Sequence, residues 1–353
     1  MQELGPRTDR RHFLQYLGLF AVAGRTLLRS GSARAATAAV REAADAQAPL
    51  PPLPRRPLGR TGFEASRLLF GCGAALSESP RDDLLEAAFD AGINVFDVGF
   101  RGYYDDAERH LGPFARKHRD QIFLISKAYV PLELEPDAVV TAAQARLGAA
   151  GWLEALDGSL RELGVDHVDA YYLMASNNPS LIESDEIRRA SEKARTAGKL
   201  RFLGLSTHQN AQAVLEAAIR SGSYDLAMIA ITPAGWYDWI DKAVLAGSPP
   251  LTELQPLLAR ARAAGIGLVG MKAGRYLAGR KFLGWGNPRA FDAFYDSALL
   301  EAPLSAYQRS YAYVLEHGLD VVNADMQHLA HLRENIVAAA TSARYFHPGG
   351  GAA

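Results

Sequence analysis

The sequence predicts an α/β fold, a single closed (β/α)8 barrel of the TIM type. Two observations carry that expectation. Short apolar runs alternate with amphipathic helical stretches eight times over about 290 residues, and such alternation implies a parallel sheet whose strands are buried on both faces. Eight units of this size suit a closed barrel better than an open doubly wound sheet. No glycine fingerprint of a dinucleotide-binding turn follows the first strand.

Taken in order, the strand runs centre on Leu68-Leu69-Phe70, Val95-Phe96, Phe123-Leu124-Ile125 and Tyr171-Tyr172-Leu173. They continue with Phe202 to Leu205, Leu226 to Ile229, Gly267-Leu268-Val269 and Val321-Val322. Helices are predicted at Leu84 to Ala91, Ala107 to Lys117, Leu153 to Leu163 and Ser184 to Ala197. Later ones fall at Ala211 to Ser221, Leu251 to Ala264, Pro303 to His317 and Leu329 to Ala340. The predicted domain boundaries are 1–35 for an export signal, 36–55 for a loose linker around Pro51-Pro52-Leu53-Pro54, 56–345 for the barrel and 346–353 for a disordered tail.

The first segment has the order of a targeting signal. Arg10-Arg11 precede a short apolar run from Tyr16 to Gly24, and Ala33-Arg34-Ala35 has the small-x-small form of a cleavage site. This order resembles a twin-arginine (Tat) export signal, with cleavage after Ala35 and a periplasmic or exported mature protein. The apolar core is too short for a permanent membrane span, and Arg25, Arg29 and Arg34 follow it.

Composition narrows the function classes. A formal net charge of −1 over 353 residues gives no reason to propose nucleic acid as a partner. The single cysteine, Cys72, rules out an intrachain disulfide and a cysteine-rich cluster. It lies in an apolar run, which reads as a buried thiol at the end of a strand. The histidines do not cluster at strand ends and no two-histidine spacing on a strand is visible, so no metal site is expected.

Chemistry concentrates between residues 93 and 127. The second strand ends at Asp97, Tyr103 follows it, and the third strand ends at Lys127. Three such groups at neighbouring strand ends would converge on one rim of a barrel. A phenol is ordinarily a weak acid, with a pKa of about 10. A nearby ammonium favours the phenolate, and a carboxylate holds the ammonium in place. The set suits protonation of a carbonyl oxygen as hydride arrives.

From about Arg56 to about Arg344 the chain resembles the aldo-keto reductase family. The resemblance rests on Arg56-Pro57-Leu58-Gly59-Arg60-Thr61-Gly62, Ala91 to Asp97, Leu163 to Tyr171 and Gly198 to Ser206, in that order. It implies an aldo-keto reductase-type barrel with a hairpin from Leu58 to Phe63 plugging its bottom. It further implies NADP or NAD as cofactor and a small-molecule carbonyl substrate. Catalytic residues carried over are Asp97, Tyr103 and Lys127, with Tyr104 as the competing ring, because this chain has one residue more than the family between Asp97 and Tyr103. Cofactor-binding residues carried over are Ser206, Thr207, Met271, Lys272 and Asn335.

The chain departs from the family pattern at several positions. Met174 stands where the family ends strand four in histidine, and a thioether cannot donate a hydrogen bond. Asn177, Asn178 and His208 are candidate replacement donors. Met228 replaces a glutamine, Met271 a tyrosine that stacks on nicotinamide, and Asp325 lies where a phosphate would sit. Aromatic inserts after strand six (Trp236, Tyr237, Trp239) and strand seven (Tyr276 to Tyr295) are expected to cover the barrel mouth.

Two function classes follow. The first is an exported oxidoreductase transferring hydride between nicotinamide and a carbonyl or alcohol. The second, motivated by the methionine substitutions, is a degenerate barrel that binds a periplasmic ligand or partner.

Overall fold

The computed structural model describes residues 49–279, 286–324 and 326–346. The predicted signal, most of the predicted linker and residues 347–353 of the predicted tail lie outside the described residues. From Leu50 onward the chain forms one compact unit.

The described chain opens with an antiparallel hairpin, β1 (Arg55–Pro57) and β2 (Glu64–Ser66), in which Arg56 faces Ala65. The reversal at residues 59–61 is closed by the Leu58 amide donating to the Phe63 carbonyl at 2.9 Å. Gly59 has a positive φ of 54°, and a Cβ there would lie 2.2 Å from the Gly267 nitrogen, so only glycine lets the hairpin press this closely on the barrel. Leu58 and Ala65 are fully buried inside the barrel, and Phe63 packs on Phe123 with ring centroids 5.1 Å apart. The predicted plug is therefore present.

The barrel strands are β3 (Leu68–Gly71), β4 (Val95–Asp97), β5 (Phe123–Ala128), β6 (Val168–Leu173), β7 (Leu200–Thr207) and β8 (Leu226–Thr232). An antiparallel hairpin of β9 (Gly235–Asp238) and β10 (Ala243–Val244) intervenes before β11 (Gly267–Met271) and β12 (Val321–Ala324). Parallel pairing runs β3-β4-β5-β6-β7-β8-β11-β12 and back to β3, which closes eight strands. All eight predicted strand runs fall on these strands. Two apolar layers result: one inside the barrel, including Leu69, Ile125, Tyr172 and Val269, and one between sheet and helices. Together they bury the alternating faces of each strand.

Helices Ala107–Lys117 and Ala211–Ser221 have the predicted bounds. Ala142–Leu163 starts eleven residues before the predicted Leu153. Its start is set by a capping box in which Thr141 and Gln144 satisfy each other's backbone amides. Gly148 and Gly151 weaken the helical pattern of this first half, so the sequence marks only the second half as helical. The β9–β10 hairpin was read only as an aromatic insert. Cys72 is fully buried as expected, but it begins the short helix Cys72–Leu76 rather than ending β3. Among the described residues, no helix is long and apolar enough to cross a membrane.

Candidate active site

Asp97 ends β4 and Lys127 is the fifth residue of β5. The Lys127 Nζ lies 2.7 and 2.6 Å from the Asp97 carboxylate oxygens and donates to the Val98 carbonyl at 2.7 Å. Both side chains are almost wholly buried, at 5% exposure each. Burial pushes the Asp97 carboxyl above its usual range, while the Lys127 charge and its hydrogen bond pull the other way. The chain after Asp97 stays tied to β5, because the Val98 amide donates to Ile125 and the Phe100 amide to Lys127. That ladder delivers the short helix Arg101–Tyr104 to the rim.

Both tyrosines of this helix line the site, and they differ in placement. Tyr103 is 43% exposed and meets Tyr104 and Tyr129 edge-on, with centroids 4.7 and 5.7 Å away. Tyr104 lies in a slot between Gly73 and Gly99. A Cβ at Gly73 would be 2.4 Å from the Tyr104 ring, and one at Gly99 would be 2.8 Å from it. The Lys127 Nζ is 5.5 Å from the Tyr104 ring centroid. The ring beside the ammonium is thus that of Tyr104. Burial, followed by the Asp97 charge, pushes the Tyr104 phenol above its ordinary value. The expected lowering by Lys127 is not realised, because Asp97 already neutralises the ammonium at 2.6 Å.

Asn323 on β12 joins this centre. Its Nδ2 donates to the Asp97 Oδ2 at 3.2 Å and approaches the Met228 Sδ at 3.7 Å. Sequence reading passed over it, although it closes the barrel next to β3.

Met174, which stands where the resembled family has its histidine, lines the cavity and is 4% exposed. Asn178 is not a candidate donor: it caps the helix Pro179–Ile182 through Leu181 and donates to the Glu135 and Ala138 carbonyls. Asn177 does not line the cavity. His208 lines the same cavity as Asp97, Tyr104 and Lys127. Burial, then the charges of Lys272 and Lys127, push its imidazole down to about 3.

The predicted cofactor residues divide. Ser206, Met271, Lys272 and Asn335 line the cavity. Thr207 does not: its hydroxyl donates to the Gln209 carbonyl at 2.6 Å and its side chain is fully buried. The left-handed backbone at Lys272, φ 68°, carries its Nζ 4.2 Å over the Trp239 ring. Asp325 lies outside the described residues. Sequence reading missed Arg275, Tyr307 and Tyr311, which also line the cavity, as does Glu334.

The cavity holds about 560 Å³, and its lining includes Asp97, Lys127, Glu334 and Asn335. Among the described residues of the aromatic inserts, only Trp239 lines it. Trp236, Tyr237, Phe291 and Tyr295 are buried in packing instead. Among the described residues no group of histidine, cysteine and carboxylate side chains could hold a metal.

Comparison with known proteins agrees with this geometry. The profile of the Aldo/keto reductase family matches residues 68–237. The uncharacterized oxidoreductase YrpG of Bacillus subtilis is 30% identical over 159 residues, covering 42% of this chain and 48% of that protein. The NADP(+)-type aldo-keto reductase yakc of Schizosaccharomyces pombe is 29% identical over 171 residues, covering 44% and 45%. The chain spans about half the length of the curated relatives it matches. An aldo-keto reductase of Klebsiella pneumoniae solved in complex with NADPH shares the fold, with a TM-score of 0.55 and 20% identity over 82% of this chain and 90% of that one. Residues 68–237 thus match the Aldo/keto reductase family profile, and the closed barrel is the fold of the solved aldo-keto reductase it resembles.

Proposed function

We propose that this protein is a nicotinamide-dependent oxidoreductase that interconverts a carbonyl compound and its alcohol. The observation that carries the reading is the buried Asp97–Lys127 pair set beside the Tyr104 ring at the mouth of a barrel. In this reading Tyr104, rather than Tyr103, is the general acid. Structural ion pairs also occur in barrels, but a pair at the carboxyl ends of strands, facing a cavity, is where such folds place chemistry.

The lining fits a nicotinamide dinucleotide in its donor chemistry. Ser206 offers a hydroxyl, Lys272 and Arg275 bring cations, and Asn335 brings an amide to the cavity lining. Bound there, NADP or NAD would supply the hydride. The yeast relative and the Klebsiella neighbour support this assignment by their NADP(H) association.

The chain's own residues then do the remaining work. Tyr104 keeps its proton at neutral pH and gives it to the carbonyl oxygen as negative charge develops there. An alkoxide is a far stronger base than a phenolate, so a raised phenol is still a competent acid. Lys127 faces the phenolate that remains, and Asp97 with the Val98 carbonyl fixes the ammonium. Met174, Met228 and Met271 keep water from the reacting carbon with apolar, adaptable surface.

We also propose that the mature protein begins near residue 36 and works in the periplasm or beyond, having passed through the Tat machinery. Arg10-Arg11, the apolar run and Ala33-Arg34-Ala35 support this. Replacing Arg10-Arg11 by Lys-Lys is expected to leave the protein in the cytoplasm of a fractionated host; unchanged export would refute the route.

The function is tested by titrating the purified protein with NADPH and NADH and following tryptophan fluorescence, since Trp239 lines the cavity. Saturable micromolar binding of either supports the reading. Absence of binding by folded protein refutes it and favours the ligand-binding barrel, for which the three methionines are the supporting observation.

A further inference from the structure

We propose that His208 donates a hydrogen bond to the carbonyl oxygen of the substrate, and so supplies from β7 the uncharged donor that Met174 cannot supply from β6. This rests on the oxidoreductase reading above and assigns one further catalytic residue within it.

The argument starts from what the oxyanion needs. As hydride reaches the carbonyl carbon, the C–O π pair moves onto oxygen, and that oxygen takes the Tyr104 proton. A second donor aimed at the same oxygen stabilises the charge before the proton arrives. Met174 lies in the cavity wall at the end of the neighbouring strand, but its sulfur only accepts. Asn178 is consumed by helix capping and by two backbone carbonyls. Asn323 already donates to Asp97.

His208 meets the requirement. It follows β7 directly, after Ser206 and Thr207, and it lines the cavity together with Lys127, Tyr104 and Met174. Its ring packs on Trp239, 5.7 Å between centroids, and Trp239 is in turn held on the inner apolar cluster. A packed ring is oriented before substrate arrives, so little ordering is left for the transition state. Lys127 and Lys272 are both close enough to act on it electrostatically, and with burial they keep it neutral at any ordinary pH. A neutral imidazole has one N–H, so His208 acts as a donor, keeps its proton throughout, and does not compete with Tyr104 as the acid.

The test uses the full chain carrying His208→Phe, His208→Ala or His208→Gln, with NADPH oxidation on 4-nitrobenzaldehyde and NADPH affinity by fluorescence. His208→Phe is expected to lower kcat by roughly 100- to 1,000-fold, the cost of one oxyanion donor, with NADPH affinity unchanged within twofold. His208→Gln, which keeps an N–H, recovers at least tenfold of that, and added imidazole restores rate to His208→Ala. A Phe variant with kcat within threefold of wild type overturns the assignment. So does a loss that appears equally in NADPH affinity, or one that neither glutamine nor imidazole relieves. If the Phe variant fails to fold, the imidazole response of His208→Ala decides in the same two directions. A wild-type protein that neither binds NADPH nor turns over refutes the oxidoreductase reading itself, whereas an active wild type beside an equally active Phe variant refutes only the role of His208.

Discussion

Removing Lys127 alone should do more damage than removing it together with Asp97. In the folded protein the Asp97 carboxylate is buried and meets the Lys127 Nζ at 2.7 and 2.6 Å, with the Asn323 amide at 3.2 Å as its other side-chain donor. Lys127→Met leaves that charge with one neutral donor. Breaking one side of a buried pair costs about 3–5 kcal/mol. Unfolding entropy of about 2.1 cal/mol/K per residue, taken over the 291 described residues, gives roughly 0.6 kcal/mol/K. The melting temperature should therefore fall by about 5–8 °C. Asp97→Asn/Lys127→Met removes both charges, and should regain most of the loss, because two buried charges replaced by neutral groups can be nearly neutral in stability. The single variant also carries a pH signature. Asp97 is already raised by burial, and without Lys127 it rises further. A raised carboxyl binds its proton more tightly in the folded state, so stability of Lys127→Met is higher at low pH and is lost as pH rises above the unfolded carboxylate value. Calorimetry of wild type, both singles and the double at pH 5 and pH 8 measures the coupling. Additive losses with no pH dependence in Lys127→Met would refute the reasoning, since they would mean that the pair is hydrated and weakly coupled.

Three more expectations follow from the same geometry. Tyr104→Phe should lower kcat by about 10²- to 10⁴-fold while Tyr103→Phe changes it little, as read by NADPH oxidation; the reverse order would assign the acid to the exposed ring. Gly73→Val should push the Tyr104 ring out of its slot, since even a Cβ there would lie 2.4 Å from it, and should cost about 1–3 kcal/mol along with most turnover, checked by denaturation and kinetics; normal stability and rate would show that the slot is loose. Glu108 is buried on the helix Ala107–Lys117, accepts from the Ser126 hydroxyl at 2.6 Å, and is raised above its usual 4.5 by burial. A raised acid destabilises the fold as pH climbs past that unfolded value, so Glu108→Gln should be stabilising relative to wild type at pH 8 and less so at pH 5; a pH-independent difference in urea midpoints would contradict the shift.

The barrel was legible because strand burial writes itself into composition. Runs such as Phe123-Leu124-Ile125 are buried on both faces, so they read as unbroken apolar stretches, and the helices between them carry a 3.6-residue period. Asp97 and Lys127 were legible for a related reason, being the polar residues that terminate such runs. What failed was anything set by a turn or by packing across the barrel. The choice between Tyr103 and Tyr104 depends on how the chain bends after Phe100, and the deciding contacts come from Gly73, in the helix Cys72–Leu76, and Gly99, in the loop after β4. Thr207 looked like a cofactor residue by its place beside Ser206, but adjacent strand residues face opposite ways, and its hydroxyl is turned to Gln209. The aromatic inserts suggest a cover over the mouth, yet Trp236, Tyr237 and Phe291 are buried in the packing layers, and among the described insert residues only Trp239 lines the cavity. Asn323 was invisible because its partner, Asp97, is 226 residues away.

The substitution of polar residues by methionine around the cavity has a structural counterpart that bears on both function classes. If the site were simply decaying, the groups those polar residues served would be left unsatisfied. Instead, Asn323 bridges: one end of its amide reaches Asp97, and its Nδ2 also comes within 3.7 Å of the Met228 sulfur, a weak acceptor. The Asp97–Lys127–Val98 cluster has every strong partner it needs, and no side-chain atom of Asp97, Lys127 or His208 stands among the buried unpartnered ones. Buried charge is expensive to keep and easy to lose by mutation to apolar residues. Here the buried charge lies at a cavity wall, paired with Lys127 and held by the Asn323 amide beside apolar methionines, an arrangement that the proposed proton chemistry would use. That pattern weighs toward the oxidoreductase reading over a binding barrel, and it predicts that Asn323→Ala will lower turnover through Asp97 and Lys127 more than it lowers affinity for NADPH. Steady-state kinetics and fluorescence titration separate the two: a loss confined to affinity would place Asn323 with the cofactor and remove this support for the proton relay.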